Sequence, residues 1–347
     1  MANANYVISW HDTVNHGGSK AKQDVENFLK AEGYREIDTP ANNISKVLFV
    51  YFKFPRIVKS IHDSTILFQF PSGKPFLRKK MMESIRNSDN KLVVLIHDIE
   101  SLRLNHEPGR EKENAEEIDL LKKCDGIISH NEAMTEWLHQ QGVTVPITNL
   151  GIFDYDNPQK VNTDGKYDGS ICFAGNLEKS SFLNKLQLKH SLVLFGSHPA
   201  DSYHEHLKYA GMFPPEVLPQ KLTQNFGLVW DGPDVNSCTG PYGEYMRYND
   251  PHKVSLYLSS GIPVIIWREA ALANFIQQNN LGILIDDLTE LDKVLDHLSA
   301  EEYAAMKENV VNFSGRLRGG HYIKQAMKNI SKATDGGDNA WTIIWFH

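Results

Sequence analysis

Asn249-Asp250-Pro251-His252-Lys253 sets an amide, a carboxylate, an imidazole and an amine at the start of an apolar helical pattern. Asn249 or Asp250 can serve as the helix N-cap, with Pro251 at the first helical position, where a missing N–H costs nothing. The unpaired N–H groups of that first turn, with Lys253 beside them, make a seat for an anion. An ordinary capped turn with a surface lysine uses the same residue types, so the flanks decide. Phe226 to Trp230 is a short apolar run that stops at Asp231-Gly232-Pro233, and Pro263 to Trp267 is another, as in buried parallel strands. Ser255, Ser259 and Ser260 allow close packing of the helix, and Gly261-Ile262-Pro263 ends it. The stretch reads strand, loop, helix, strand, with the anion seat at the carboxyl edge of a sheet.

A second group could move a proton. His97-Asp98-Ile99-Glu100 follows the apolar run Lys91 to Ile96, and Asp98, or His97, at that strand end is placed to take a proton from a hydroxyl. Capping of the next helix is the competing role for Asp98. His11 and Asp12, on the loop after the first strand, are rival bases. That loop continues to Gly17-Gly18, which lets backbone approach a phosphate or sugar but lacks the dinucleotide fingerprint, so a nicotinamide cofactor is not supported. Asp154-Tyr155-Asp156 has the form of a metal-binding Asp-x-Asp, yet it opens a polar stretch instead of following a buried strand. His204-Glu205-His206 spaces its histidines wrongly for one helix face. No metal is expected.

The elements that must position these groups alternate. Strands are expected at Tyr6 to Trp10, Thr65 to Phe70, Leu92 to Ile96, Gly126 to Ser129 and Thr144 to Leu150. Helices are expected at Ala21 to Glu32, Phe76 to Arg86, Lys112 to Lys123 and Glu132 to Gln140; Asn43 to Ile61 leans towards helix, with a strand at Val47 to Phe54 as the alternative. Asp154 to Lys166, rich in Asp, Asn, Pro, Gly and Lys, is the linker. Beyond it come strands Ser170 to Ala174, Leu192 to Phe195 and Gly282 to Ile285. Helices are expected at Phe182 to Leu188, Ala270 to Gln278, Thr289 to Leu298 and Ala300 to Val311, then a break at Gly315 to Gly320 and a last helix, His321 to Ile330. The chain is thus α/β: residues 1–153 and 167–314 form two Rossmann-like domains joined by linker 154–166, and residues 315–347 form a crossover helix and tail. The apolar tail around Trp341 to Phe346 is expected to dock on the first domain, to form an oligomer contact, or to be an addition to the native chain.

At 347 residues there is room for two cores. A net charge of -7 and a pI near 6.1 give no global positive field for nucleic acid or an anionic membrane. Arg78-Lys79-Lys80 is a local basic cluster that reads as a solvated helix face or a recruiter. Three cysteines, Cys124, Cys172 and Cys238, odd in number and far apart, argue for a reducing compartment. No run approaches the length of a membrane span or a signal-peptide core, so a cytoplasmic protein is expected.

With these motifs laid out, the chain resembles the bacterial cytoplasmic glucosyltransferases that extend O-linked N-acetylglucosamine on serine-rich repeat adhesins. The resemblance rests on Gly227 to Gly232, on Tyr245 to Lys253, on Ser255-Leu256-Tyr257-Leu258 and on Ile262 to Trp267. Weaker similarity lies at Phe173 to Leu177, Phe213 to Glu216 and His97-Asp98. It implies a GT-B fold, two domains facing across a cleft, with the C-terminal helix returning to the first. It implies a UDP-sugar donor, UDP-glucose foremost, held without metal mainly by the second domain, and a GlcNAc-modified serine-rich glycoprotein acceptor held by the first. Asn249, His252 and Lys253 would line the diphosphate with Lys179 from the neighbouring loop, and Tyr248 and Asn176 would complete the donor set. Tyr209, Gly211 and Phe213 would wall the uracil. Thr13 and Gly17 would approach from the first domain. The family also implies a homo-oligomer, a dimer or tetramer. Alternatives are a hexosyl- or galactofuranosyltransferase acting on a cell-surface polysaccharide, and a UDP-sugar epimerase of the same fold.

Overall fold

The computed structural model describes residues 4–10, 17–104 and 107–336. The first half runs β1 (Tyr6–Ser9), α1 (Gly17–Ala31), β2 (Arg35–Asp38), α2 (Asn43–Leu48), a π-helical turn (Phe49–Lys53), α3 (Phe54–Lys59), β3 (Thr65–Phe70), α4 (Pro75–Arg86), β4 (Lys91–Ile96), α5 (Glu100–Arg103), α6 (Glu111–Leu121), β5 (Gly126–Ser129), α7 (Glu132–Gln140) and β6 (Ile147–Asn149). Its strands form one parallel sheet, ordered β2-β1-β3-β4-β5-β6. Every residue of β3 is buried, because helices cover both faces; this is why these strands read as unbroken apolar runs.

The second half runs β7 (Ile171–Ala174), a 3-10 turn (Ser181–Asn184), β8 (Leu192–Phe195), β9 (Leu207–Gly211), α8 (Leu218–Lys221), β10 (Phe226–Val229), α9 (Gly240–Tyr245), α10 (His252–Ser259), β11 (Val264–Trp267), α11 (Ala273–Gln278), β12 (Gly282–Ile285), a second 3-10 turn (Leu288–Glu290), α12 (Leu291–His297), α13 (Ala300–Arg318) and α14 (His321–Thr334). Its parallel sheet is ordered β12-β11-β10-β7-β8-β9. The order reverses between β10 and β7, and ligands of such sheets sit at the carboxyl ends of the strands at that reversal. Among the described residues no helix is long and apolar enough to cross a membrane.

The two halves are tied by the segment expected to be a polar linker. It has no regular structure, but Asp154, Tyr155 and Asn157 are buried. The Asp154 carboxylate accepts the N–H groups of Tyr322 (3.2 Å) and Ile323 (2.7 Å), capping the first turn of α14. Helix α14 then lies on the first domain: Ile330 and Thr334 press against Gly126 of β5, and Lys324 pairs with Glu32 at 3.0 Å. The last helix therefore returns across the molecule.

Several local expectations change. Helix α1 begins at Gly17, so the glycine pair forms its first turn and is not part of the loop. Helix α10 begins at His252 with Pro251 as its N-cap residue, one position later than expected, and neither Asn249 nor Asp250 caps it. The helix expected over Phe182 to Leu188 shrinks to the 3-10 turn, because the N–H groups of Lys189 and His190 are taken by Asp292. Helix α13 runs straight through Gly315, and the chain turns at Gly319-Gly320. The last expected strand of the first half is confined to β6.

Candidate active site

Helix α10 is positioned by its second turn. Tyr257 is fully buried, and its hydroxyl accepts the Ala174 N–H at 2.7 Å, fixing the helix to the end of β7. This brings Lys253, in the first turn, to the reversal between β10 and β7. Its Nζ lies 3.1 Å from each carboxylate oxygen of Asp231, which follows β10, and 4.6 Å from the centre of the Phe173 ring. Asn249 Oδ1, Asp250 Oδ2 and His252 Nε2 are buried without a hydrogen-bond partner. Each such atom costs about 1–3 kcal/mol. Three of them within four residues mark a turn built for something other than stability.

The neighbouring loop supplies Asn176, whose Oδ1 accepts the Glu178 N–H (3.1 Å), and Lys179, whose ammonium lies 4.6 Å from the Tyr242 ring centre. The loop approaches the end of β8 so closely that a side chain at Gly196, φ +146°, would meet the Gly175 carbonyl. Along the same edge, the Tyr209 hydroxyl donates to the Gly196 carbonyl (3.0 Å), and the Gly211 carbonyl accepts the Gly196 N–H (3.1 Å). Phe213 packs on Phe195 with 6.2 Å between ring centres.

Across the cleft, β4 delivers His97 and Asp98. Gln69 Nε2 donates to Glu26 Oε1 (3.0 Å) and to the Lys22 carbonyl (3.2 Å), so its Oε1 faces His97 Nε2 at 2.9 Å as an acceptor. His97 is therefore protonated on Nε2 and carries its lone pair on Nδ1. Burial, with Lys22, His130 and His252 nearby, holds its pKa well below the ordinary value. Burial raises the pKa of Asp98, while Arg103 (3.2 Å), Lys22 and Lys179 pull it back. Lys179 of the second domain thus acts on an acid of the first.

The junction beside these groups is apolar and histidine-rich. Phe153 stacks on His97 (5.2 Å) and meets the edges of His130 (5.0 Å) and His252 (6.0 Å). His130 Nε2 donates to the Ile96 carbonyl (3.0 Å), and its Nδ1 accepts the Asp250 N–H (2.9 Å). Asn131 Nδ2 donates to the Tyr248 carbonyl (2.9 Å) and to Asp250 Oδ1 (2.7 Å). Burial lowers the pKa of His130 to about 4 and that of His252 to about 3, and raises that of Asp250 to about 8. Tyr245 of α9 completes the seam, its hydroxyl accepting the Ile99 N–H at 3.0 Å.

The structure thus gathers Asn249, His252, Lys253, Asn176 and Lys179 on one side of the cleft, His97 and Asp98 on the other, and Tyr209, Gly211 and Phe213 further along the second sheet's edge. Tyr248 departs from expectation: it packs against the first core and holds the junction through its carbonyl. Gly17 starts α1, while Thr13 and the rival bases His11 and Asp12 lie outside the described residues, as does the tail 337–347. Sequence reasoning assigned no role to Asp231, Arg103, His130 or Asn131; for Asp231 the signal was its place directly after a buried strand. Among the described residues no three His, Cys, Asp or Glu side chains converge as a metal site.

Residues 4–152 match the family described as glucosyltransferase 3-like, N-terminal domain, and residues 171–330 match glucosyltransferase 3-like, C-terminal domain. The chain is 34% identical over 294 residues to the beta-1,6-galactofuranosyltransferase WbbI of Escherichia coli K12, covering 79% of this chain and 84% of that one. It is 27% identical over 319 residues to glucosyltransferase 3 of Streptococcus gordonii, covering 88% and 92%. In fold it is similar to sucrose-phosphate synthase from Thermosynechococcus elongatus (TM-score 0.62, 12% identity, 97% of this chain and 100% of that one). It is also similar to T4 phage BGT, solved with its UDP-glucose substrate (TM-score 0.55, 13% identity, 94% and 99%). Two parallel-sheet domains facing across a cleft make this the GT-B fold, and the chain belongs to the glucosyltransferase 3-like family of glycosyltransferases.

Proposed function

We propose that the chain transfers a hexose from a UDP-sugar, UDP-glucose foremost, to an O-linked N-acetylglucosamine on a serine-rich glycoprotein. The observation that carries this reading is Lys253, held by Asp231 at the first turn of α10, with Lys179 of the neighbouring loop close enough to Asp98 of the first domain to lower its pKa. Transfer breaks the bond between the anomeric carbon and the diphosphate, and Lys253, Lys179 and the N–H groups of α10 neutralise the charge that grows there. Asp98 takes the proton of the acceptor hydroxyl as its oxygen bonds to the anomeric carbon. His252 does not share the cationic duty: its low pKa keeps it neutral, and its Nε2 is buried. Tyr209, Gly211 and Phe213 form the wall for the base, and Gly17 approaches the donor from the first domain. The diphosphate needs no metal, because two lysines serve it. We place the enzyme in the cytoplasm as a homo-oligomer; three buried, unpaired cysteines support a reducing compartment.

A second reading, galactofuranosyl transfer to a polysaccharide, is favoured by the 34% identity to the galactofuranosyltransferase against 27% to glucosyltransferase 3. Mass spectrometry decides between them. An O-GlcNAc serine-rich peptide and a polysaccharide acceptor are each incubated with UDP-glucose, UDP-galactose, UDP-N-acetylglucosamine or UDP-galactofuranose. A hexose gained by the peptide from UDP-glucose supports the first reading. Transfer only to the polysaccharide from UDP-galactofuranose replaces it with the second.

A further inference from the structure

From Asn43 to Lys59 the helices α2 and α3 and the turn between them follow one another without a break, and their outer side is apolar. Ile44, Val47, Leu48, Tyr51 and Phe52 recur at spacings of three and four residues, one face of a helix, and all are exposed, Ile44 by 75%, Phe52 by 61% and Leu48 by 55%. Phe76, at the start of α4, is exposed beside them and shares a groove with Val47, Trp10 and Gly73. The opposite face, Phe49, Val50, Phe54 and Val58, fills the first domain's core. An apolar surface of this extent marks a site that something covers.

Charge selects what covers it. Residues 41–82 carry eight lysines and arginines and one acid, Asp63, in a chain whose net charge is -7. Lys53, Arg56, Lys59, Lys74 and Lys79 are exposed, and Lys80 reaches to 6.0 Å from the Tyr51 ring centre. Arg78, in contrast, is buried against the Phe70 ring, so only Lys79 and Lys80 of that basic triplet face outward. A second copy docking through this face would set lysines against lysines. A short helical stripe of aliphatic and aromatic side chains flanked by lysines fits instead the boundary of an anionic bilayer, where rings and chains enter the headgroup layer and ammonium groups meet lipid phosphates.

We propose that this face of the first domain is a peripheral docking site for anionic phospholipid membranes. The near end of the stripe, with Trp10 and Gly73, lies at the carboxyl edge of the first sheet, so docking holds the mouth of the cleft at the lipid surface. The inference stands apart from the identity of donor and acceptor.

The test is co-sedimentation of the full chain with phosphatidylcholine vesicles, with and without phosphatidylglycerol. Binding to the anionic vesicles, little to the neutral ones, and release by salt are expected. Leu48→Ser with Phe52→Ser, and separately Lys53→Glu with Lys74→Glu and Lys79→Glu, should each lower partitioning by about tenfold or more. These side chains are exposed, so both variants should keep the wild-type Tm and UDP affinity. Absence of vesicle binding by the wild type, equal binding to neutral vesicles, or variants that partition like the wild type would overturn the proposal. So would an oligomer that the Leu48→Ser, Phe52→Ser pair dissolves while no vesicle binding is seen, or capture only by an acidic polypeptide.

Discussion

Lys253 Nζ is equidistant, at 3.1 Å, from the two carboxylate oxygens of Asp231, so the cation assigned to the diphosphate already holds an anion of its own. The two anions compete for one ammonium. Lys253→Ala should lower kcat by about 10²- to 10³-fold, the range for removing one preorganised group that stabilises developing charge. Near-normal transfer in that variant would sink the site assignment.

Asp231→Asn should act in the opposite sense on binding. Removing the competing carboxylate leaves Lys253 unneutralised, so UDP should bind more tightly by about 1 kcal/mol, about fivefold in Kd. Isothermal titration with UDP checks this. Weaker UDP binding would mean that Asp231 serves to position the lysine and does not compete for it.

Asp98 and Arg103 make a prediction about pH. Burial raises the Asp98 pKa and Arg103 opposes that rise, so the acid limb of kcat/KM should lie above the usual carboxylate range. Arg103→Gln removes the cation that favours the charged form and should move the limb to still higher pH. Asp98→Asn should abolish the limb and cost about 10²- to 10⁴-fold in turnover with UDP affinity kept. If His97→Asn erases the limb and Asp98→Asn does not, the base is His97.

What the sequence shows of this molecule follows the range of the interactions involved. Leu92 to Ile96 reads as a strand because its surroundings are apolar on both sides, and Lys253 reads as an anion ligand because its helix start lies in the same few residues. β2 escapes notice because Arg35-Glu36-Ile37-Asp38 is an edge strand with Ile37 its only buried residue. α9 is hidden because Gly240-Pro241-Tyr242-Gly243 has the composition of a turn. The contacts of His130 and Asn131 with the segment Tyr248 to Asp250 join residues about 120 positions apart, and local patterning carries no trace of them.

Gly227 and Tyr257 predict a stability effect at the donor site. A Cβ on Gly227 would stand 2.2 Å from Tyr257 Cγ, and Tyr257 cannot move without breaking its bond to the Ala174 N–H. Overpacking costs about 1–3 kcal/mol and an orphaned buried amide about as much again, so Gly227→Ala should destabilise by about 3 kcal/mol or more. Urea unfolding reads this directly, and an unchanged midpoint would show that Tyr257 is free to shift.

His130 links the junction to pH. Its Nδ1 accepts the Asp250 N–H and its Nε2–H donates to the Ile96 carbonyl, so a proton on Nδ1 breaks the contact between the two domains. The pKa is about 4 when folded and about 6.5 when unfolded, so the unfolded chain takes up the proton first. Above about pH 6.5 the residue costs nothing; as pH falls from there towards 4, stability is lost, by about 2 kcal/mol at pH 5. The burial-raised carboxyls, Asp250 among them, oppose this trend in the whole protein, so the contribution is read as a difference between wild type and His130→Asn. The variant should be less stable near neutral pH, where it lacks part of the hydrogen bonding. The gap should narrow as pH falls through 6 to 5. A stability gap that stays constant from pH 7 to pH 5 would mean that His130 titrates alike in both states, and that the junction is not held by its neutral form.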